Sequence, residues 1–148
     1  MQDMNTEETS ARLCSGTSAT ETYAEKLANR LVGGEVIELV GDVGAGKTTF
    51  VRGLAKGLGS TDHVSSPTFT VEQVYTGRLT LYHYDFYRLP DAGVVKNQLK
   101  EVLSQQNSVV VIEWAEHVRG ILPKNRIVIC FEVVSETDRL LHIGGGDK

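Results

Sequence analysis

Eight consecutive residues, Gly41-Asp42-Val43-Gly44-Ala45-Gly46-Lys47-Thr48, have the types and spacing needed to hold a nucleoside triphosphate. They fit the pattern Gly-x-x-x-x-Gly-Lys-Ser/Thr. The glycines let backbone N–H groups close around a phosphate without Cβ clashes. A helix that follows adds unpaired N–H groups and the positive end of its dipole. Lys47 supplies a mobile cation for the terminal phosphates. Thr48 supplies a hydroxyl for Mg2+, and Thr49 a second hydroxyl within reach. The chemistry implied is binding and hydrolysis of a nucleoside triphosphate, ATP in first place. A glycine-rich turn that binds nothing is the alternative.

A metal-bound triphosphate also needs a carboxylate at the end of a neighbouring strand. Asp85 closes the run Leu79–Tyr84, and Glu113 closes the apolar run Val109–Ile112. Open α/β sheets place their ligands outside such carboxyl ends. Both are read as catalytic and metal-site residues, and the more apolar strand favours Glu113. Thr68, in Ser66-Pro67-Thr68, sits where switch-type NTPases offer a hydroxyl or carbonyl to the metal and γ-phosphate. A plain turn before a strand is an equal alternative. His83, on an apolar strand, reads as a core or site-edge group. His63, His117 and His142 show no ligand spacing. Arg88 and Arg119 could face phosphate or a partner, although a surface ion pair is the usual role.

These residues need elements to position them. Val36–Val40 reads as a short apolar strand running into the loop. Lys47 opens a helix with Phe50, Val51, Leu54, Ala55 and Leu58 on one face, and Gly57 and Gly59 mark its end. An earlier helix, capped by Ser18 or Thr20, carries Tyr23, Ala24, Leu27, Ala28 and Leu31, and Gly33-Gly34 stops it. Ala11–Cys14 reads as an edge strand. Phe69–Tyr75 and Leu79–Tyr87 read as a hairpin around Thr76-Gly77-Arg78. Val94, Val95, Leu99, Val102 and Leu103 mark a third helix. Ile127–Val134 and Arg139–Ile143 read as two antiparallel closing strands. The pattern predicts an α/β P-loop fold: a mostly parallel central sheet, flanking helices, antiparallel strands at the edge and no lid domain.

The chain has 148 residues, 41% hydrophobic and 23% charged, which suits one globular domain with a real core. The boundaries expected are a flexible tail over 1–10, the domain over 11–143 and a loose end over 144–148. The net charge of −4 argues against a protein that grips nucleic acid unaided. Lys124, Arg126 and Arg119 read as a solvated surface. Cys14 and Cys130 lack ligand spacing and read as buried free thiols of a reducing compartment. No secretory signal or membrane-length apolar run is present, so a cytoplasmic protein with no membrane partner is expected.

Four blocks together carry a resemblance: Gly41–Phe50, Ser66-Pro67-Thr68-Phe69-Thr70, Tyr82-His83-Tyr84-Asp85-Phe86-Tyr87-Arg88-Leu89, and Glu113-Trp114. In this order and spacing the chain resembles the TsaE (YjeE) family, small bacterial ATPases that serve threonylcarbamoyladenosine modification of tRNA. The resemblance runs from about Ser18 to Arg139. It implies binding of ATP, ADP and Mg2+, weak intrinsic hydrolysis, and work within an assembly containing the TsaD and TsaB proteins, with tRNA met only through that complex. It places the family's phosphate loop on Gly41–Thr49 and its metal-site groups on Thr48 and Glu113. The switch-like threonine falls on Thr68, the critical aspartate on Asp85 and the tryptophan on Trp114. An arginine near the adenine falls on Arg139. The stretch Pro90–Asn97 departs from the family's acidic pattern, at a helix where partners could dock. A monomer in isolation is expected.

Other functions share the loop. A small-molecule kinase of this fold needs a lid with several arginines, and Arg88–Asn107 has little room for one. A GTP switch needs an Asn-Lys-x-Asp segment, which is absent. A nucleotide-gated scaffold that binds ATP without useful turnover stays open beside the ATPase.

Overall fold

A computed structural model describes residues 10–64, 72–87 and 93–145. In chain order the elements are β1 (Ser10–Ser15), α1 (Thr17–Ala28), β2 (Val36–Val40), α2 (Lys47–Gly57), β3 (Glu72–Tyr75), β4 (Thr80–Asp85), α3 (Gly93–Leu103), β5 (Ser108–Glu113), β6 (Ile127–Val133) and β7 (Asp138–Gly145). Two short 3-10 turns, Ala115–His117 and Arg119–Ile121, follow β5.

The strands form one sheet in the order β1-β7-β6-β2-β5-β4-β3. The central four, β6-β2-β5-β4, are mutually parallel. The outer pairings β1–β7, β7–β6 and β4–β3 are antiparallel. The expectation of a mostly parallel sheet therefore holds for the centre and is corrected for the whole, where half of the pairings are antiparallel. The reason is local: β6 with β7 and β3 with β4 are joined by short turns, which permit only antiparallel neighbours. The two central strands carry the apolar runs, as strands covered on both faces must.

Alternate residues of these strands enter two cores. On one face Leu39, Leu81, Val109 and Val111 pack with Leu27, Leu31, Phe50 and Leu54 of α1, its following turn and α2. On the other, Tyr84, Val110 and Ile112 pack with Leu99 and Val102 of α3 and with Val118. Cys14 is buried, but Cys130 is only half-buried, so the expectation of two buried thiols is met by one; both are unpaired.

α1 begins at Thr17 with Gly16 at its N-cap, and among the described residues no side chain caps it, where the expectation is Ser18 or Thr20. It also ends at Ala28, ahead of Gly33-Gly34. Arg78, from the turn between β3 and β4, donates to the carbonyls of Ala28 and Leu31, each at 3.0 Å. A long-range cation thus satisfies the Leu31 carbonyl and adds a second donor to that of Ala28, which already accepts from the Leu31 N–H at 3.1 Å. At the chain's far end β7 runs through Gly144 and Gly145, which pair with Val128 and Ile127, past the boundary expected at 143. Ser10 likewise belongs to β1. No helix among the described residues is long and apolar enough to cross a membrane.

Candidate functional site

β2 delivers the chain into the glycine loop, and α2 begins on Lys47. Gly44 and Gly46 have φ of +85° and +103°, a left-handed backbone that side chains resist. Those two turns reverse the chain into the helix, helped by an Ala45 N–H to Asp42 carbonyl bond of 3.1 Å. Among the described residues no side chain caps α2, and none of their side chains accepts from its first N–H groups at the loop. That is the arrangement that receives an anion.

Lys47 is nearly buried, at 5% exposure, and arches back over the loop. Its Nζ donates to the Gly41 carbonyl at 2.6 Å and lies 3.4 Å from Glu113 Oε1. It also sits 4.4 Å from the centroid of the Trp114 ring, within cation–π range. Thr48 and Thr49, in the first turn of α2, are half-buried.

The carboxylates arrive on neighbouring strands. The β4–β5 register pairs Asp85 with Glu113, and β2 places Leu39 beside Glu113. Glu113 is 4% exposed. Burial pushes its carboxyl up, but the hydrogen bond and charge of His83 and the Lys47 ammonium outweigh that and hold it below the ordinary value. Asp85 is driven the other way. Burial raises it, the Tyr87 N–H on Oδ1 at 2.9 Å opposes this, and the Glu113 charge adds to the rise. Two carboxylates in register thus have opposite proton affinities, the pattern of groups with divided roles.

Trp114 is the only non-glycine residue among those described with positive φ, +56°. The left-handed turn carries the chain off the end of β5 and lays the indole against Tyr87, ring centroids 4.7 Å apart, and under Lys47. Arg139 reaches the loop from β7. Its guanidinium donates to Ala45 O at 3.1 Å and Gly44 O at 3.4 Å, and to Ser135 O and Asp138 O, each at 3.0 Å. It braces the loop against the β6–β7 turn. Asp42, Val43 and Gly44 form the exposed crest of the loop. Thr68, with Ser66, Pro67 and Arg88, lies outside the described residues.

The structure therefore brings Gly41–Thr49, Asp85, Glu113, Trp114 and Arg139 to one end of the sheet. The donor set suits phosphate and a hard cation. Loop N–H groups and an ammonium face an anion, while the Thr48 hydroxyl and two carboxylates offer only oxygen. The described residues contain no cluster of three His, Cys, Asp or Glu side chains that could hold a metal unaided.

Two features escape a reading of local sequence. Arg126, expected on a solvated surface, is buried at 3% exposure and donates to Glu38 Oε1 at 2.9 Å; Arg119 donates to Glu38 Oε2 at 2.8 Å. Glu38 breaks the apolar run of β2, and a charge in a central strand requires buried cations, so the signal was present. Trp114 and Arg119 also line a small cavity of about 30 Å³ beside Gly41 and Lys47. The second is the partner of His83: the ring is fully buried, as a core or site-edge group would be, and its Nε2 lies 2.5 Å from Glu113 Oε2.

Comparison with known proteins follows the same lines. The sequence profile described as "Threonylcarbamoyl adenosine biosynthesis protein TsaE" matches residues 14–141. A tRNA threonylcarbamoyladenosine biosynthesis protein TsaE from Treponema pallidum is 40% identical over 128 residues, 85% of this chain and 95% of that protein. The Bacillus subtilis protein of the same description is 40% identical over 121 residues, 81% of this chain and 75% of that one. The crystal structure of Bacillus subtilis YdiB superposes with a TM-score of 0.78 and 31% identity, covering 99% of this chain and 90% of that chain. The chain belongs to the TsaE family of threonylcarbamoyl adenosine biosynthesis proteins.

Proposed function

We propose that this protein is a Mg2+-dependent ATPase subunit of the cytoplasmic machinery that makes threonylcarbamoyladenosine in tRNA, slow alone and accelerated by its partners. The observation that carries the reading is the convergence of the Gly41–Thr48 loop with Glu113 and Asp85 at adjacent strand ends. The names of its relatives place them in that biosynthesis.

The loop N–H groups and the α2 N-terminus bind the phosphates, and Lys47 orients the terminal ones. Thr48 and Glu113 hold the cation, with Asp85 beside them. Bound MgATP supplies the labile phosphoanhydride and the charge that steadies its transfer. Asp85, whose carboxyl favours its proton more than usual, is the better placed of the two to orient an attacking water and take up its proton. Glu113, held ionised, is the better cation ligand. Arg139 and Trp114 shape the nucleotide side of the loop, and Thr68 is the switch residue that senses the γ-phosphate. ADP and phosphate are the products.

Arg139 is committed to carbonyl oxygens, and a partner is inferred to supply in trans the arginine that such reactions draw on. TsaD and TsaB are the partners inferred, with tRNA met through them. The test is steady-state phosphate release by the purified chain alone, then with both partners and tRNA. Stimulation of about 10³-fold or more is the scale an arginine in trans gives. It should vanish in Asp85→Asn while ATP binding stays. Fast turnover alone, unchanged by partners, would return a small-molecule kinase or stand-alone enzyme to the front. Tight binding with no turnover in any mixture would mark a nucleotide-gated scaffold.

A further inference from the structure

The two oxygens of Glu113 are divided between two partners. Oε1 lies 3.4 Å from Lys47 Nζ, and Oε2 lies 2.5 Å from His83 Nε2. His83 comes from β4, two residues before Asp85 and on the same face. Its register partner on β5 is Val111, so the ring reaches forward along the sheet to the end of β5. At that distance the carboxylate oxygen is the acceptor, and Nε2 carries the hydrogen and donates it. The other ring nitrogen, Nδ1, is buried and has no hydrogen-bond partner among the described residues. The imidazole is fully buried, and its one polar tie there is Glu113. Leucine would fill the same space without stranding a polar atom, which costs about 1–3 kcal/mol.

We propose that His83 is a positioning residue for the cation site: its Nε2–H pins Oε2 of Glu113 so that Oε1 is the oxygen presented to a divalent cation at the glycine loop. The inference rests on the reading of that loop as a Mg-nucleotide site. In this structure Lys47 steadies Oε1. Once Lys47 turns to phosphate, its hold on the carboxylate is gone, and His83 alone fixes the rotation of the group. Hydrogen bonds behind a ligating carboxylate act in this way, and losing one typically costs about 10–100-fold in metal affinity.

The test uses His83→Leu, which keeps the volume and removes the donor, and His83→Gln, which keeps an N–H at a similar reach. His83→Asn is too short to span the gap. Trp114 is the only tryptophan in the chain and stands against Lys47, so its fluorescence reports nucleotide binding directly. ADP is titrated in excess chelator, and then Mg2+ is titrated at fixed ADP. For His83→Leu the affinity in chelator should stay within about twofold of the parent, and the half-saturating Mg2+ should rise about tenfold or more. His83→Gln should return to within about threefold of the parent, and His83→Asn should follow Leu. Half-saturating Mg2+ unchanged in His83→Leu would overturn the inference and leave the nucleotide site standing. Equal losses with and without Mg2+ in all three variants would show a purely structural residue and overturn it too. A parent that binds no nucleotide, or binds it indifferently to Mg2+, would remove the reading of the site and the inference with it. If His83→Leu does not fold, the Asn and Gln variants decide by the same thresholds.

Discussion

Glu113 is where residue-scale chemistry is most concentrated: a nearly buried carboxylate with a lysine on one oxygen and a histidine on the other. Its proton affinity is lowered in the fold, so the native state binds the acidic proton less readily than the unfolded chain does. The stability this brings is fully present above the ordinary value of 4.5 and is lost as pH falls through the depressed native value. Asp85, raised in the fold, acts with the opposite sign, losing stability as pH rises from its ordinary 3.8. Comparing the parent with Glu113→Gln cancels the Asp85 contribution to first order. Thermal melts from pH 7 down to about 3 should show the parent's advantage over the variant shrinking across the acid range. A difference that stays constant with pH would contradict the ion-pair account of Glu113. The pairings behind this were only partly legible in the sequence. Glu113 and Asp85 each announced themselves by ending a strand. That His83 reaches Glu113, and not a neighbour on its own strand, depends on β4 and β5 lying side by side in parallel register. A linear sequence does not state that.

At the scale of elements, α1 and α2 pack closely because α2 carries glycine where the helices cross. A Cβ at Gly53 would stand 2.3 Å from the Glu21 carbonyl oxygen and 2.7 Å from Ala24 Cβ; at Gly57 it would stand 2.5 Å from the Glu25 carbonyl oxygen. Gly57 ends α2, as its place in the sequence predicts, and in the fold both it and Gly53 are also contact residues. Two effects compete in Gly53→Ala. Helix propensity favours alanine by about 1 kcal/mol. Overpacking against backbone costs about 1–3 kcal/mol, and a 2.3 Å approach leaves no side chain to rotate away. The second should win, so Gly53→Ala should lower the denaturant midpoint with an unchanged slope. A raised midpoint would mean that the helices separate at little cost. Helix and strand positions were readable from periodicity, since α2 and β5 show unbroken apolar patterns. Helix ends were less so, because α1 is finished by Arg78, fifty residues from one of its acceptors.

For the whole molecule, the sheet order explains why one end is the business end. β2, β5 and β4 are parallel neighbours, so Gly41, Glu113 and Asp85 leave the sheet side by side. β7, antiparallel at the far side, returns Arg139 to brace the same loop. Sequence motifs alone could list these groups, and the parallel centre is what makes them one site. The antiparallel flanks were harder to weigh, because short turns and apolar alternation do not say how many strands a sheet will add at its edges. The central claim is that this end of the sheet binds an adenine nucleotide through its phosphates. Titration of the purified chain with MgATP and MgGTP, followed by Trp114 fluorescence, tests it most directly in the parent and in Lys47→Met, which keeps the stem and removes the charge. The prediction is saturable binding that prefers ATP over GTP and weakens about 10–100-fold in Lys47→Met, the value of a charge-assisted bond to phosphate. Tighter GTP binding, or a Lys47→Met variant that binds MgATP as well as the parent, would contradict it.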